Sequence, residues 1–336
     1  MLKLFFTSSE NHANFGVSKV VNTLNFEIKK KKIISIYSNN ITKFLFFKPD
    51  IIHINGCWKI RLIFFFIIAK ILGVKIIISP HGMIDPFSLK QKKFKKNIAL
   101  FLYQKFIFEN SDLIIVNSKI EKKNFLKITK NIPRIIIIPH GVYLKKKFKI
   151  IENKKKELDF VFFSRIHPSK NLISLVQIWR KNKFFNNYNL DIFGEIDDVN
   201  YYEKFIDKIK NCENINYKGR INSKNFNYRL SKYDIFLHPS TSENFGLVIL
   251  EAMSCGLFPI VNKKLDWKNL GKNNLGINLS FDYKSLKKAI LSLNKSKKKI
   301  RNKKFKKKLR NYLLKNYNWK FIIKEYYKQY TRLIDL

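Results

Sequence analysis

Short runs of β-branched or aromatic residues, each bounded by turn residues, recur along the chain. They lie at Lys32–Tyr37, Ile51–Ile54, Val74–Ser79, Leu113–Asn117, Arg134–Pro139, Asp159–Ser164, Leu190–Gly194, Asn214–Gly219, Tyr233–His238 and Phe258–Asn262. Most lack the polar alternation of a half-exposed strand, so they predict strands buried on both faces. Segments of helical period lie between them, among them Phe94–Asn110, Leu172–Lys181 and Tyr201–Ile209. Strand alternating with helix predicts right-handed βαβ units and parallel sheets. The pattern breaks at Leu144–Glu157 (LKKKFKIIENKKKE), a Lys-rich stretch without periodicity that reads as an interdomain linker.

The 336 residues fit two domains of about 150 residues each. The expectation is an α/β protein of two Rossmann-like domains, Met1–Ile150 and Ile151–Asn311, facing each other across a cleft. A C-terminal segment, 312–336, follows, with a helix around Trp319–Leu333 that crosses back to the first domain. In that helix Phe321, Ile322, Tyr326, Tyr330 and Leu333 recur at helical spacing and predict one buried face.

Five of the six histidines, His53, His81, His140, His167 and His238, fall at or just beyond the carboxyl ends of predicted strands. In open parallel sheets ligands bind at that edge. The most informative segment is YDIFLHPSTSENFGLVILEAMSCGLFPIVN, Tyr233–Asn262, which reads as strand, turn, helix, strand. The Gly246 and Leu247 amides at the start of that helix form an anion site. Glu243 precedes the helix and Glu251 lies within it, and carboxylates are good bidentate acceptors for vicinal sugar hydroxyls. Cations to hold a phosphate come from DFVFFSRIHPSKNL, Asp159–Leu172, where a strand ends in a loop bearing Arg165 and Lys170. Arg offers phosphate a planar fork and Lys a point charge. Nothing in the chain reads Asp-x-Asp and no two histidines have metal-ligand spacing, so no metal and no cofactor are expected.

These motifs resemble the group 1, retaining glycosyltransferases of GT-B fold. The resemblance includes Glu243 and Glu251 within PSTSENFGLVILEAMSCGLFPIV, the loop SRIHPSKNL, the strand ends LDIFGE and NYKGRI, and the C-terminal NWKFIIKEYYKQY. In the first half DIIHINGCW, SPHGMIDP and IIPHGV are similar to strand ends of the same family, SPHGMIDP in particular to those of enzymes building bacterial surface polysaccharides. It implies transfer of a sugar from a nucleotide diphosphate donor to a glycan or lipid-linked acceptor, in lipopolysaccharide, capsule or exopolysaccharide synthesis. It further implies that Glu243 contacts the donor sugar, Glu251 the ribose, and Arg165 and Lys170 the diphosphate. The amides around Phe245 and Gly246 would hold sugar and phosphate, His81 would lie near the reacting sugar, and Gly16 would belong to a loop approaching the diphosphate. The leaving diphosphate would help deprotonate the acceptor, so no separate general base is required.

The formal net charge of +43 admits a second reading, a basic nucleic-acid-binding α/β protein without transferase activity. Lys, Ile, Asn and Phe, whose codons are built from A and T, are all abundant, so charge alone identifies no partner. No groove- or single-strand-recognition motif accompanies the basic runs, and no nucleic acid is expected. Lys295–Arg310 reads as solvated helix faces, whereas Lys90–Lys96 (KQKKFKK), with Phe94 interleaved, reads as a docking segment for an anionic membrane surface. Cys57, Cys212 and Cys255 show no redox or metal spacing. The N-terminus has too few apolar residues for a signal-peptide core, and Leu62–Ile78 falls short of a spanning helix. The expected location is cytoplasmic, peripheral on the inner face of the cytoplasmic membrane.

Overall fold

Buried positions alternate between two separate clusters along the strands of the first half. Leu4, Phe6, Ile51, Ile77, Leu113 and Ile115 pack on one face, while Phe5, Ile52, Ile76, Ile78, Ile114 and Val116 pack on the other. Strands covered on both faces form a central parallel sheet between helical layers. The computed structural model describes residues 1–10, 16–131, 134–144, 155–222 and 226–335. The chain divides into two units, Met1–Gly141 with Trp319–Leu336, and Val142–Asn318. The expected boundary at Ile150 and most of the expected linker, 145–154, lie outside the described residues.

The sheet of the first unit contains β1 (Lys3–Ser8), β2 (Ile34–Tyr37), β3 (Ile51–Asn55), β4 (Lys75–Ser79), β5 (Leu113–Val116) and β6 (Ile135–Ile137). Their order is β2-β1-β3-β4-β5-β6, with every pair parallel. The second unit contains β7 (Phe160–Phe163), β8 (Leu190–Phe193), β9 (Ile215–Tyr217), β10 (Ile235–His238), β11 (Phe258–Asn262) and β12 (Ile277–Leu279). Their order is β12-β11-β10-β7-β8-β9, again all parallel. The strand order reverses between β1 and β3 in one sheet and between β7 and β10 in the other. Those are the switch points at which open parallel sheets bind ligands.

Two strands escape the sequence pattern. In β1 the apolar run is only Leu4–Phe6 before Thr7 and Ser8, because its carboxyl end is polar. β12 has three residues, and its strand character comes from pairing with β11. Leu172–Lys181 is helical over the expected span, burying Leu172, Leu175, Val176 and Trp179 at helical spacing. The expected helix Phe94–Asn110 is instead Lys93–Ala99, a π-helical segment Leu100–Gln104, and Lys105–Glu109.

The helix Trp319–Ile334 buries Trp319, Ile322, Tyr326, Tyr330 and Leu333 in the first unit. Phe321, expected on that face, is half exposed. A Cβ on Gly141 would come within 2.6 Å of the Trp319 ring, so the absence of a side chain there lets the helix start against the chain. His53 is a packing residue rather than an edge residue. It is fully buried within β3, with Nδ1 2.9 Å from the Tyr330 hydroxyl and Nε2 2.8 Å from Ser79 Oγ. The basic segment 295–310 is only partly a solvated face. Arg301 closes its fork on Asp234 at 2.7 and 2.9 Å, and Lys306 is buried. Among the described residues no helix is long and apolar enough to cross a membrane.

Candidate functional site

In the second unit, the loops after β7 and β10 meet at the switch point. Beyond β7 the chain makes a 3-10 turn, Pro168–Lys170, capped by His167, whose Nδ1 accepts from the Ser169 amide. Pro168 supplies a fixed φ at the first position of the turn. The loop after β10 is tied to this turn twice, since Ser240 Oγ donates to the Ser169 carbonyl at 2.9 Å and the Thr241 amide to the same oxygen at 3.2 Å. Asn262, at the end of β11, donates to the Pro239 carbonyl at 3.1 Å.

This clamp brings together Lys170, Glu243 and His238. Lys170 Nζ lies 2.5 Å from Glu243 Oε1, and His238 Nε2 lies 3.0 Å from the same oxygen. The Lys170 and Glu243 side chains are only 10% and 12% exposed and His238 is fully buried, so the two charges neutralise each other out of bulk solvent. Burial by itself raises the Glu243 carboxyl, but the Lys170 ammonium and the His238 hydrogen bond outweigh it and hold it well below the usual carboxylate range. Burial lowers His238, with Glu243 opposing. The imidazole is then neutral and donates through Nε2, because a carboxylate can only accept. One of the three Lys170 donors is spent on Glu243, which leaves two for a ligand.

The helix Leu247–Ser254 opens beside this cluster. Its N-cap, Gly246, sits at φ 83°, in the left-handed region where a side chain is strained, and no side chain caps the helix. A Cβ there would also stand 3.0 Å from Ile249 Cδ1. The Ile249 amide closes the first bond of the helix on the Gly246 carbonyl at 2.9 Å, whereas the Leu247 amide precedes the first intrahelical bond and presents a partial positive charge. Phe245 is held in place from the side: its ring packs on Trp267 and Tyr317, and its carbonyl accepts from Trp267 Nε1 at 2.8 Å. Arg165 is 58% exposed and bonds Asp197 at 2.7 Å rather than joining the Lys170 cluster. Glu251 is half-buried on the helix.

In the first unit, the carboxyl ends of β3 and β4 carry a second polar group. His81, in the left-handed region at φ 53°, bonds Asn55 Oδ1 through Nε2 at 2.8 Å and stacks on His140 with ring centroids 5.6 Å apart. Burial pushes its pKa down to about 4, with an Asn117 hydrogen bond opposing, so at neutral pH it is an uncharged hydrogen-bonding group. The buried Glu121 carboxylate fixes this loop, accepting from the Gly82 and Asn117 amides, both at 2.6 Å. Gly16 is the first residue of the helix Gly16–Lys29, and a Cβ there would meet nothing within 4 Å. The preceding residues of its loop, 11–15, lie outside the described residues. Among the described residues no group of three or more His, Cys, Asp and Glu is placed to hold a metal ion.

Residues 145–316 match the family described as Glycosyl transferases group 1, and residues 6–146 match Glycosyltransferase Family 4. The chain belongs to the group 1 glycosyl transferases. This group 1 chain is 28% identical over 232 residues to an uncharacterized 41.2 kDa protein in the cps region of Klebsiella pneumoniae, covering 64% of this chain and 60% of that protein. It is also 28% identical over 181 residues to the GtfA subunit of the UDP-N-acetylglucosamine–peptide N-acetylglucosaminyltransferase of Streptococcus parasanguinis, covering 52% of this chain and 35% of that one. The matched segments thus span less than two thirds of either relative. Among solved structures, sucrose-phosphate synthase from Thermosynechococcus elongatus superposes with a TM-score of 0.81 at 16% identity, over 100% of both chains. The fold of this group 1 chain is of the GT-B type, with two Rossmann-like units.

Sequence spacing placed Glu243, Phe245, Gly246, Leu247 and Glu251 on one strand–turn–helix, where they stand. It did not anticipate that Lys170 would be paired with Glu243, that Arg165 would engage Asp197, or that Trp267 and Tyr317 would brace Phe245. Ser169 in SRIHPSKNL and Ser240 in PSTSENFG are turn residues by type, which is the local signal for the tie between the two loops. Nothing local to LDWKNL marks Trp267 as a neighbour of the site.

Proposed function

We propose that this chain transfers a sugar from a nucleotide diphosphate sugar to a glycan or lipid-linked acceptor, with retention at the anomeric carbon and without a metal ion, in bacterial surface-polysaccharide synthesis. The observation that carries the reading is the buried Lys170–Glu243–His238 cluster beside the uncapped helix N-terminus at Gly246, at the switch point of the second sheet. The family match, the cps-region relative and the UDP-N-acetylglucosamine named for the streptococcal relative support it.

In this reading Lys170, Arg165 and the amides of Phe245, Gly246 and Leu247 receive the diphosphate, and their charge takes the place of a divalent ion as negative charge grows on the leaving group. Glu243 already receives two donors on Oε1 and offers its other oxygen to a hydroxyl of the donor sugar. Glu251 receives the ribose. His81, neutral, hydrogen-bonds the reacting sugar, and the Gly16 loop approaches the diphosphate. The departing diphosphate takes the acceptor's proton, and the protein's contribution is positioning and electrostatics.

Purified protein is expected to hydrolyse one of a panel of labelled nucleotide sugars slowly, and equally in the presence of EDTA. Hydrolysis abolished by chelation and restored by Mg²⁺ or Mn²⁺ would exclude the metal-independent mechanism. Stabilisation by oligonucleotides, with none by any nucleoside diphosphate, would exclude the transferase reading. Glu251→Ala is expected to raise the donor KM with little change in kcat, since a ribose contact is made equally in ground and transition states. A fall in kcat at unchanged KM would remove Glu251 from the ribose.

A further inference from the structure

The first unit exposes two adjoining apolar stripes that its core does not use. On the helix Ile60–Ile71 the outward side chains are Ile60, Phe64, Ile67 and Ile71, at helical spacing, with Ile71 77% exposed. On the helical segment 93–109 they are Phe94, Ile98, Phe101, Leu102 and Phe106, with Phe101 88% exposed. The two segments touch. Phe66 packs edge-on against Phe106 with centroids 6.1 Å apart, and the Trp58 carbonyl and amide bond Tyr103 and Gln104 at 3.0 and 3.1 Å.

Charge identifies what covers this face. Between Pro86 and Phe108 the chain has six lysines and no acidic residue, and Lys59, Arg61 and Lys70 flank or lie on the other helix, likewise without an acid. Lys96 is engaged internally, with Ser88 and over the Trp58 ring, but Lys90, Lys92, Lys93 and Lys95 are exposed. The one acid of the segment, Glu109 at its end, is paired with Lys105 at 3.8 Å and accepts from Thr129, and an apolar stripe bordered by such an excess of cations is the composition of a surface lying in the headgroup layer of an anionic bilayer. Singly exposed apolar residues need no explanation, whereas contiguous ones mark an interaction face.

We infer that the helix Ile60–Ile71 and the segment 93–109 together insert into an anionic lipid surface, with Phe64, Ile67, Phe101 and Leu102 in the acyl boundary and the exposed lysines on the headgroups. This deepens the lipid-linked acceptor reading and rests on it for the reason the enzyme would seek a membrane. The whole chain is mixed with phosphatidylcholine vesicles with and without phosphatidylglycerol, without donor, across a salt series. Binding is expected to anionic vesicles, weakened but not abolished by salt. Replacing Lys90, Lys92, Lys93 and Lys95 by Gln should weaken it strongly at low salt, by about fivefold per lysine. Phe101→Ser with Leu102→Ser should remove the salt-resistant part while leaving thermal unfolding unchanged, since both side chains are solvent-facing.

Parental binding by both variants at every salt concentration would overturn the inference. So would a change in oligomeric mass in the Ser variant with vesicle binding intact, which would assign the face to a second copy of the chain. A protein that binds vesicles but hydrolyses no nucleotide sugar leaves the surface assignment standing and defeats the transferase reading. Hydrolysis without vesicle binding does the reverse.

Discussion

Lys170→Ala is expected to lower kcat for sugar transfer by about 10²–10³, the typical loss when a preorganised group facing developing charge is removed. Lys170 is held by a 3-10 turn, by two bonds from the loop after β10 to the Ser169 carbonyl, and by Glu243, so little reorganisation would be needed if, as proposed, charge develops on a diphosphate beside it. In the proposed mechanism its attraction would rise as the glycosidic bond breaks, which would place the effect on kcat rather than on donor KM. Arg165→Ala should cost less, because that guanidinium is 58% exposed and its charge is screened by solvent. Lys170→Arg keeps the charge but not the ammonium's fit beside Glu243, and full activity is not expected from it. Steady-state kinetics on variants shown by circular dichroism to be folded decide the matter. Near-parental turnover of Lys170→Ala would end the assignment of this ammonium to the leaving group.

Glu243→Ala is expected to destabilise the fold by about 3–5 kcal/mol at neutral pH, because it strands a nearly buried ammonium. The pair is 10% and 12% exposed, so it is not a surface bridge of negligible worth. The double variant Lys170→Met, Glu243→Gln should recover most of that loss, since it removes both charges together. The pH dependence has a definite sign. Burial raises the carboxyl, but Lys170 and His238 more than reverse this, so the folded-state pKa lies below the unfolded value of about 4.3. Stability from this group is therefore complete above the unfolded pKa and is lost as pH falls through the folded one. The advantage of the parent over Glu243→Gln in urea unfolding should be constant from about pH 7 to 5 and shrink below about pH 4. An advantage that grows on acidification would show that the carboxyl is not held ionised by its partners.

Sequence alone settled what depends on near neighbours in the chain. Strand and helix periods are local, so ten of the strand runs and the helix Leu172–Lys181 could be read directly, and with them the two parallel sheets. The spacing of Glu243, Gly246 and Glu251 puts them on one strand–turn–helix for the same reason. Tertiary structure decided the partners. Lys170 and Glu243 are 73 residues apart and meet only because β7 and β10 are neighbours at the point where the strand order reverses. His53 resembled the other edge histidines in the sequence. It is a core residue because Tyr330, 277 residues on, lies over β3. The exposed stripes on 60–71 and 93–109 had the apolar content of buried helices, and hydropathy cannot tell which apolar face a neighbouring element will cover. Burial and charge pairing are set by which segments the sheet order brings together, and that order carries no local signature.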